Sequence, residues 1–286
     1  MTSIGNHAFR NCIGLTTLFI PNSVTIIGDR AFLNVFNVEY NGIAAGEPWG
    51  AKCANGHVEK PLVYKNSSKT TLSGCHSTAT GSIIIPDSVT HIEQNAFSGC
   101  KGLTSINVSP DNSNYCSVDG VLFNKDKTTI IQYPGGKQGA YTIPNSVAII
   151  GDNAFSGCKG LTYIEIPNTT ITSIGRSAFG GCSGLTSVTI PNRVTKIEGG
   201  TFSGTGLISV MIPKNVTSIG PLAFYNCTSL KSVTMEEANY PPKLTGIHVF
   251  DHRKDCLIYV LPESVDIYKA ADGWKTYESQ IKEIQQ

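Results

Sequence analysis

Charge is scarce in this sequence. Asp, Glu, Lys and Arg supply 15% of its 286 residues, against roughly 25% in an average globular protein. The 22 basic and 21 acidic side chains leave a formal charge of +1. Phosphate neutralisation needs clustered Lys and Arg, so the balance argues against a nucleic-acid partner or an anionic membrane surface. No apolar run approaches the ~18 residues of a membrane span. The opening Met1-Thr2-Ser3-Ile4-Gly5 lacks the basic, apolar, small-residue order of a secretory leader, so the chain reads as soluble and untargeted. Glycine-rich phosphate loops, nucleophile elbows, paired-carboxylate motifs and kinase signatures are also missing, which places an enzyme last among the functional classes. What is present is 40% hydrophobic residues with Ile and Val throughout, too apolar for disorder. A folded, turn-rich, β-rich protein is expected.

An internal repeat decides the architecture. Ala-Phe or Thr-Phe pairs recur at Ala8-Phe9, Ala31-Phe32, Ala96-Phe97, Ala154-Phe155, Ala178-Phe179, Thr201-Phe202 and Ala223-Phe224, the last four spaced by 24, 23 and 22 residues. The best-formed unit runs Ile174-Gly175, Ala178-Phe179, Cys182, Leu185, Val188, Ile190-Pro191, Val194 and Ile197. Leu185, Val188 and Ile190 share one side of a short strand, with Ser187 and Thr189 pointing out. Pro191 ends that strand and Asn192 turns the chain. Val194 to Ile197 is then a second extended piece on the opposite side of the coil, closed by a tight helical turn that plugs Phe179 into the interior. One coil cannot bury its own apolar residues. Stacked at ~4.8 Å per strand, successive coils share one core.

The order of Cys, Leu, Ile or Val, and Ile-Pro is that of a leucine-rich repeat. The phrases Ile190-Pro191-Asn192-Arg193-Val194-Thr195, Ile219-Gly220-Pro221-Leu222-Ala223-Phe224 and Ala154-Phe155-Ser156-Gly157-Cys158 resemble the BspA-like, or treponemal, type found on bacterial surfaces. The stretch Leu257 to Ile284 is similar to the closing segment of gut Bacteroidales members. The resemblance implies one right-handed α/β (β-rich) leucine-rich-repeat solenoid over residues 1–286, of nine to eleven coils and ~50 Å long, with a parallel strand row and few short helices. It also implies export to the cell surface or secretion, and adhesion to host matrix or cell-surface proteins, host cells or other bacteria.

Two irregular insertions, about residues 37–82 and 109–142, break the period. Each holds a pair of short strands around a polar turn, Leu62-Val63-Tyr64 with Lys69 to Leu72 and Val121-Leu122-Phe123 with Lys127 to Ile130, and reads as a variant coil before a dedicated binding loop. The first unit opens in mid-repeat at Ile4, which reads as a start later than that of its relatives. A C-terminal cap is expected over about residues 257–286, with a short helix near Ser264 to Gly273 and with Trp274 and Tyr277 covering the last coil.

Cys12, Cys100, Cys158, Cys182 and Cys227 hold one repeat position, which Val35 and Thr205 fill elsewhere, so a small packing residue is expected there as a thiol. Cys53, Cys75, Cys116 and Cys256 sit in irregular segments, where Cys53 with Cys75 is the favoured pair. Cys53, His57, Cys75 and His76, and separately His248, Asp251, His252 and Cys256, carry metal-ligand chemistry without ligand spacing, so no metal and no other cofactor is expected. What faces a partner is the outward strand row: Thr17 and Phe19, Ser105 and Asn107, Tyr163 and Glu165, Ser187 and Thr189, Ser209 and Met211, Ser232 and Thr234. Phe19, Tyr163, Glu165 and Met211 stand out as ligand-binding candidates, because an aromatic beside an acid on a small, flat face makes a local anchor. Protein binding by this concave face is the favoured function. The alternative is a carbohydrate-binding accessory protein acting through Tyr163, Tyr115 or Trp49.

Overall fold

Two extended pieces per repeat, separated by corners, set two rows of strands. The computed structural model describes residues 2–10, 12, 18–21, 23–28, 31–32, 38–40, 61–236, 240–250 and 255–284. Its front row is parallel throughout: Leu18–Ile20 pairs with Val38–Tyr40, Thr80–Ile85 with Gly102–Val108, and Gly139–Thr142 with Leu161–Glu165. Ser209–Ile212, Ser232–Met235, Leu257–Val260 and Ile281–Glu283 then follow in one sheet. The back row consists of two-residue strands, among them Ile149–Ile150, Ser173–Ile174, Lys196–Ile197 and Ser218–Ile219. The result is a β-solenoid of about ten turns.

The corners follow from the sequence. After each front strand, the Ile-Pro pair begins a turn closed by the amide of the following Val onto the proline carbonyl, at 3.0 Å for Val147, Val194 and Val216. The corner at Phe is a curled turn and not the helical turn expected. Within it alternate amides do different things. Those of Ala178, Gly180 and Cys182 bond back to Gly175, Ser177 and Phe179 of their own coil, whereas Ser177, Phe179 and Gly181 bond forward to Gly199, Thr201 and Ser203 of the next. This alternation requires left-handed backbone at Ser177 (φ 49°) and Gly181 (φ 73°), recurring at Asn153 and Gly157. Such a conformation costs little for glycine and asparagine and breaks any helix.

Each turn drives its Phe ring inward, and the rings stack. Centroids are 5.0 Å apart for Tyr133–Phe155, then 5.1 Å to Phe179, 5.6 Å to Phe202, 5.4 Å to Phe224 and 5.5 Å to Phe250. Phe250, in a Val-Phe pair, and Tyr133 are rungs that the Ala/Thr-Phe pattern does not mark. Around them a continuous core runs from Val121 to Ile281, next to smaller groupings from Leu72 to Leu122 and from Ile4 to Phe32.

Both irregular segments contain antiparallel hairpins: Leu62–Tyr64 on Thr71–Cys75, and Tyr115–Val118, Val121–Asn124 and Thr129–Gln132 in succession. In each, the last strand pairs in parallel with the next back-row strand, Leu72 opposite Ile92 and Ile130 opposite Ile150, so it stands where a coil's own back strand would. At the C-terminus a six-residue helix, Val265–Ala270, precedes a 3-10 stretch, Trp274–Gln280. Trp274 and Tyr277 close on Phe250 at 5.9 and 5.3 Å, and the indole N–H of Trp274 donates to the Pro242 carbonyl at 2.8 Å. The last rung is thus covered by aromatic surface instead of water.

Because Phe179 is fully buried and stacked on both faces, Phe179→Ala is expected to cost about 3–5 kcal/mol. Urea unfolding followed by circular dichroism measures it. A midpoint matching the unsubstituted chain would show that the stack does not hold the coils together.

Candidate interaction surface on the front row

Front strands alternate inward and outward residues with period two, except where the register of Leu161–Glu165 shifts and Thr162 and Tyr163 both face outward. Along Leu161–Glu165, Leu161 and Ile164 are buried while Tyr163 and Glu165 are exposed; along Ser209–Ile212, Val210 and Ile212 are buried while Ser209 and Met211 are exposed. Parallel register then aligns the outward residues in columns. Ala140 stands opposite Tyr163 and Thr142 opposite Glu165; lower down, Ser209 is opposite Ser232 and Met211 opposite Thr234. Tyr163 keeps 51% and Met211 55% of their surface exposed, high values for large apolar side chains. The Glu165 carboxylate accepts a hydrogen bond from the Thr142 hydroxyl at 3.1 Å, which holds it flat along its column.

Between these two strands lies the segment that reads as the best-formed unit, and there the structure departs from expectation. Leu185 and Ile190 are buried and Ser187 and Thr189 are exposed as expected, but residues 185–190 form no strand. The amides of Ser187, Val188 and Thr189 make no hydrogen bond, and the segment is tied to the following coil by Ile208 N–H on the Thr186 carbonyl at 3.1 Å. The break coincides with one added residue in the preceding corner. Ile166 to Ile171 spans five positions where Ile190 to Val194 spans four. Within that corner Thr170 has a buried hydroxyl with no partner. In place of ladder bonds, side chains tie the corners, with the Asn192 amide donating to Asn168 Oδ1 at 2.7 Å and Arg193 Nη1 to the Thr169 carbonyl at 3.0 Å.

Tyr163, Glu165 and Met211 therefore share one face, with Tyr163 and Met211 two levels or roughly 10 Å apart along the stack, on either side of an unladdered segment. Phe19 is not with them. It lies in the front strand Leu18–Ile20, opposite Glu39 and far up the row, and its side chain is outside the described residues. Thr17 and Trp49 are outside them altogether. Tyr115 is half-buried and engaged, its phenol oxygen accepting the Ile92 amide at 3.0 Å, so it does not offer a free hydroxyl to a ligand.

The repeated cysteines lie under the Phe turns. Cys182 and Cys227 each donate S–H to the Phe carbonyl of the preceding coil, Phe155 and Phe202, at 3.0 Å, while Thr205 donates its hydroxyl to Phe202 at 2.8 Å. A small side chain fits the slot, and the thiol or hydroxyl it carries at these levels finds a Phe carbonyl. The described cysteines are thiols, and Cys100 reaches the Cys75 carbonyl at 3.2 Å. Cys53 and Val35 lie outside the described residues, as do His57, Asp251 and His252. Among the described residues no group of three His, Cys, Asp or Glu side chains gathers as a metal site would require, and no helix is long and apolar enough to cross a membrane.

Stacked Phe turns and two parallel rows define a leucine-rich-repeat solenoid. The family model for BspA-type leucine-rich-repeat regions matches residues 1–45, 65–138 and 137–241 in six copies, and the chain belongs to that family. Among solved structures, the pneumococcal vaccine antigen PcpA is similar over 99% of this chain and 69% of its own, with TM-score 0.62 and 21% identity, a likeness of fold. A leucine-rich cell surface protein of Faecalibacterium prausnitzii is 30% identical with TM-score 0.52 over 82% of this chain, which spans 57% of that protein. No curated protein matches. The matched relatives are repeat proteins and not enzyme families.

Burial lifts the Cys182 thiol to about 12 and raises that of Cys158 as well. A thiol whose folded value exceeds its unfolded value near 8.5 holds its proton more tightly when folded, so its stabilising contribution is whole below that value and is lost as pH rises toward about 12. Stability by urea titration is expected to fall between pH 9 and 11, and Cys182→Thr is expected to reduce the slope. An unchanged slope would contradict the burial of this thiol.

Proposed function

We propose that the chain is a non-enzymatic recognition module displayed at the bacterial cell surface, binding a protein ligand of the host matrix or of a cell surface through its front row. One observation carries the reading. Tyr163 and Met211, both half-exposed, flank the unladdered segment 185–190, whose amides at Ser187, Val188 and Thr189 lack partners. Aromatic and Met side chains supply contact area at low entropic cost. The surrounding Ser and Thr side chains leave the face flat enough for a protein to approach. Surface display is supported by family membership and by the F. prausnitzii relative, which is described as a cell surface protein.

The test is binding of the purified chain to immobilised matrix proteins and glycans side by side, with Tyr163→Ala/Glu165→Lys and Met211→Ala variants of unaltered melting temperature. Saturable protein binding weakened about tenfold or more by each variant is expected, the size of a lost anchor residue. Binding to glycans alone would replace the proposal with the carbohydrate reading, and protein binding indifferent to both variants would move the site off this face.

A further inference from the structure

The stack of Phe turns has a gap between the turn at Phe97 and the turn at Phe155. In the coil between them the chain passes from its back strand, Thr129–Gln132, to its front strand, Gly139–Thr142, through residues 133–138 alone, whereas the next coil uses residues 151–160 for the same passage. Pro134-Gly135-Gly136 makes the short cut. A Cβ at Gly135 would meet the Cys100 carbonyl at 3.0 Å, and one at Gly136 would meet the Gly102 backbone at 2.9 Å, so only glycine can press this close to the coil above. Tyr133 supplies the inner rung, but the outer curl of the turn is missing at this level.

Its absence leaves main-chain groups without their usual partners. In the coil below, the amides of Asn153, Phe155 and Gly157 reach the carbonyls of Arg176, Ala178 and Gly180 at 2.9, 2.8 and 2.7 Å. The corresponding amides of Asn95, Phe97 and Gly99 make no hydrogen bond. On the facing wall Ala154 accepts from the Tyr133 amide at 2.7 Å, but the flanking carbonyls of Asp152 and Ser156 accept from nothing. The walls are two levels apart, roughly 9.6 Å, which leaves one strand spacing on either side of an inserted chain. Two side-chain bridges span the gap, Gln94 Nε2 to Asp152 Oδ2 at 3.2 Å and Asn153 Nδ2 to Asn95 Oδ1 at 2.7 Å. Beside them remains a recess of about 290 Å³ bordered by Ser98, Gly99, Gly135, Ser156 and Gly157.

We propose that this recess is a second interaction site, independent of the front row, which takes the main chain of a glycine- and serine-rich segment of a partner polypeptide and so restores the missing level. A peptide carbonyl accepts from the Gly99 amide while the neighbouring peptide N–H donates to the Ser156 carbonyl, the bonding that the chain's own Gly180-Gly181 pair makes with Gly157 above it and Ser203 below. These serines and glycines bring main chain to the walls of the recess, with Phe97, Leu103, Ile106 and Tyr133 also in the lining, so a backbone can reach the small residues while larger side chains on the partner would be held out in solvent.

The probe is the peptide Gly-Gly-Ser-Ser-Gly, which copies residues 180–184 with Cys182→Ser, added to the full chain and followed by amide exchange and NMR shifts. In the free protein the Gly99 amide is expected to exchange about tenfold or more faster than its hydrogen-bonded equivalents Gly157 and Gly181. Saturating peptide should slow Gly99 and shift it, and Ser156→Trp, which fills the recess from an exposed position, should abolish both effects while leaving the Gly181 amide protected. Equal exchange at Gly99 and Gly157 in the free protein, no shift with peptide, or a shift undiminished in Ser156→Trp would each overturn the proposal.

Discussion

The alternation of amides in the Phe turn is the constraint on which the rest of the molecule depends. One amide closes the turn on itself and the next reaches forward to the following coil, so the turn is at once a corner and a rung of the ladder. Two left-handed residues per turn make the alternation possible, and their cost is met by bonds that a helix at the same place would turn inward. Because the Phe turns share one curl, their rings are delivered to the same point of the cross-section and stack, and Tyr133 continues the stack at a level without the outer curl. The sulfur slot is a by-product of the same geometry. At the position three residues after the Phe, a thiol meets the Phe carbonyl of the turn above, whereas the Thr205 hydroxyl turns back to the Phe202 carbonyl of its own turn.

Front-row recognition and the recess on the turn flank are two places where this regularity lapses, and both lapses come from changes in chain length between fixed points. One added residue between Ile166 and Ile171 accompanies the unladdered segment at 185–190. A shortened passage after Gln132 removes the outer curl of one turn. Main-chain donors that are silent elsewhere become available at these levels, which is how a repeat of bland side chains acquires local character without catalytic or charged clusters.

Most of the architecture was legible in the sequence because the repeat is carried by buried positions of fixed spacing. The Phe, Cys, Leu and Ile-Pro positions fall where periodicity puts them; Glu165 and Met211 face outward by period two, and Tyr163 does so because Leu161 and Ile164 are the inward pair three residues apart, with the register shifted between them. Tyr133 and Phe250 escape the repeat's marker because that marker is Ala-Phe or Thr-Phe, while the stack requires only an aromatic ring after the back strand. The break at 185–190 escaped for a different reason. Its own residues are the most regular of all, and the irregularity resides one coil earlier. The separation of Phe19 from the other outward residues was hidden by the insertions, which add levels to the row without adding the repeat's marker residues.

The hydrogen bonds that join coils run along the axis of the solenoid, so a tensile load between its ends is borne along the length of those bonds and passes through every level in series. A chain of links under tension parts at the level with the fewest. Between the coil of Leu161–Glu165 and that of residues 185–190 the front row contributes no ladder, and Ser173–Ile174 and Lys196–Ile197 belong to separate back-row sheets, leaving the Phe turn and the Asn168 and Arg193 ties to carry the force. Stretched from its ends, the molecule would yield at its unladdered levels, one of them beside the face that Tyr163 and Met211 present.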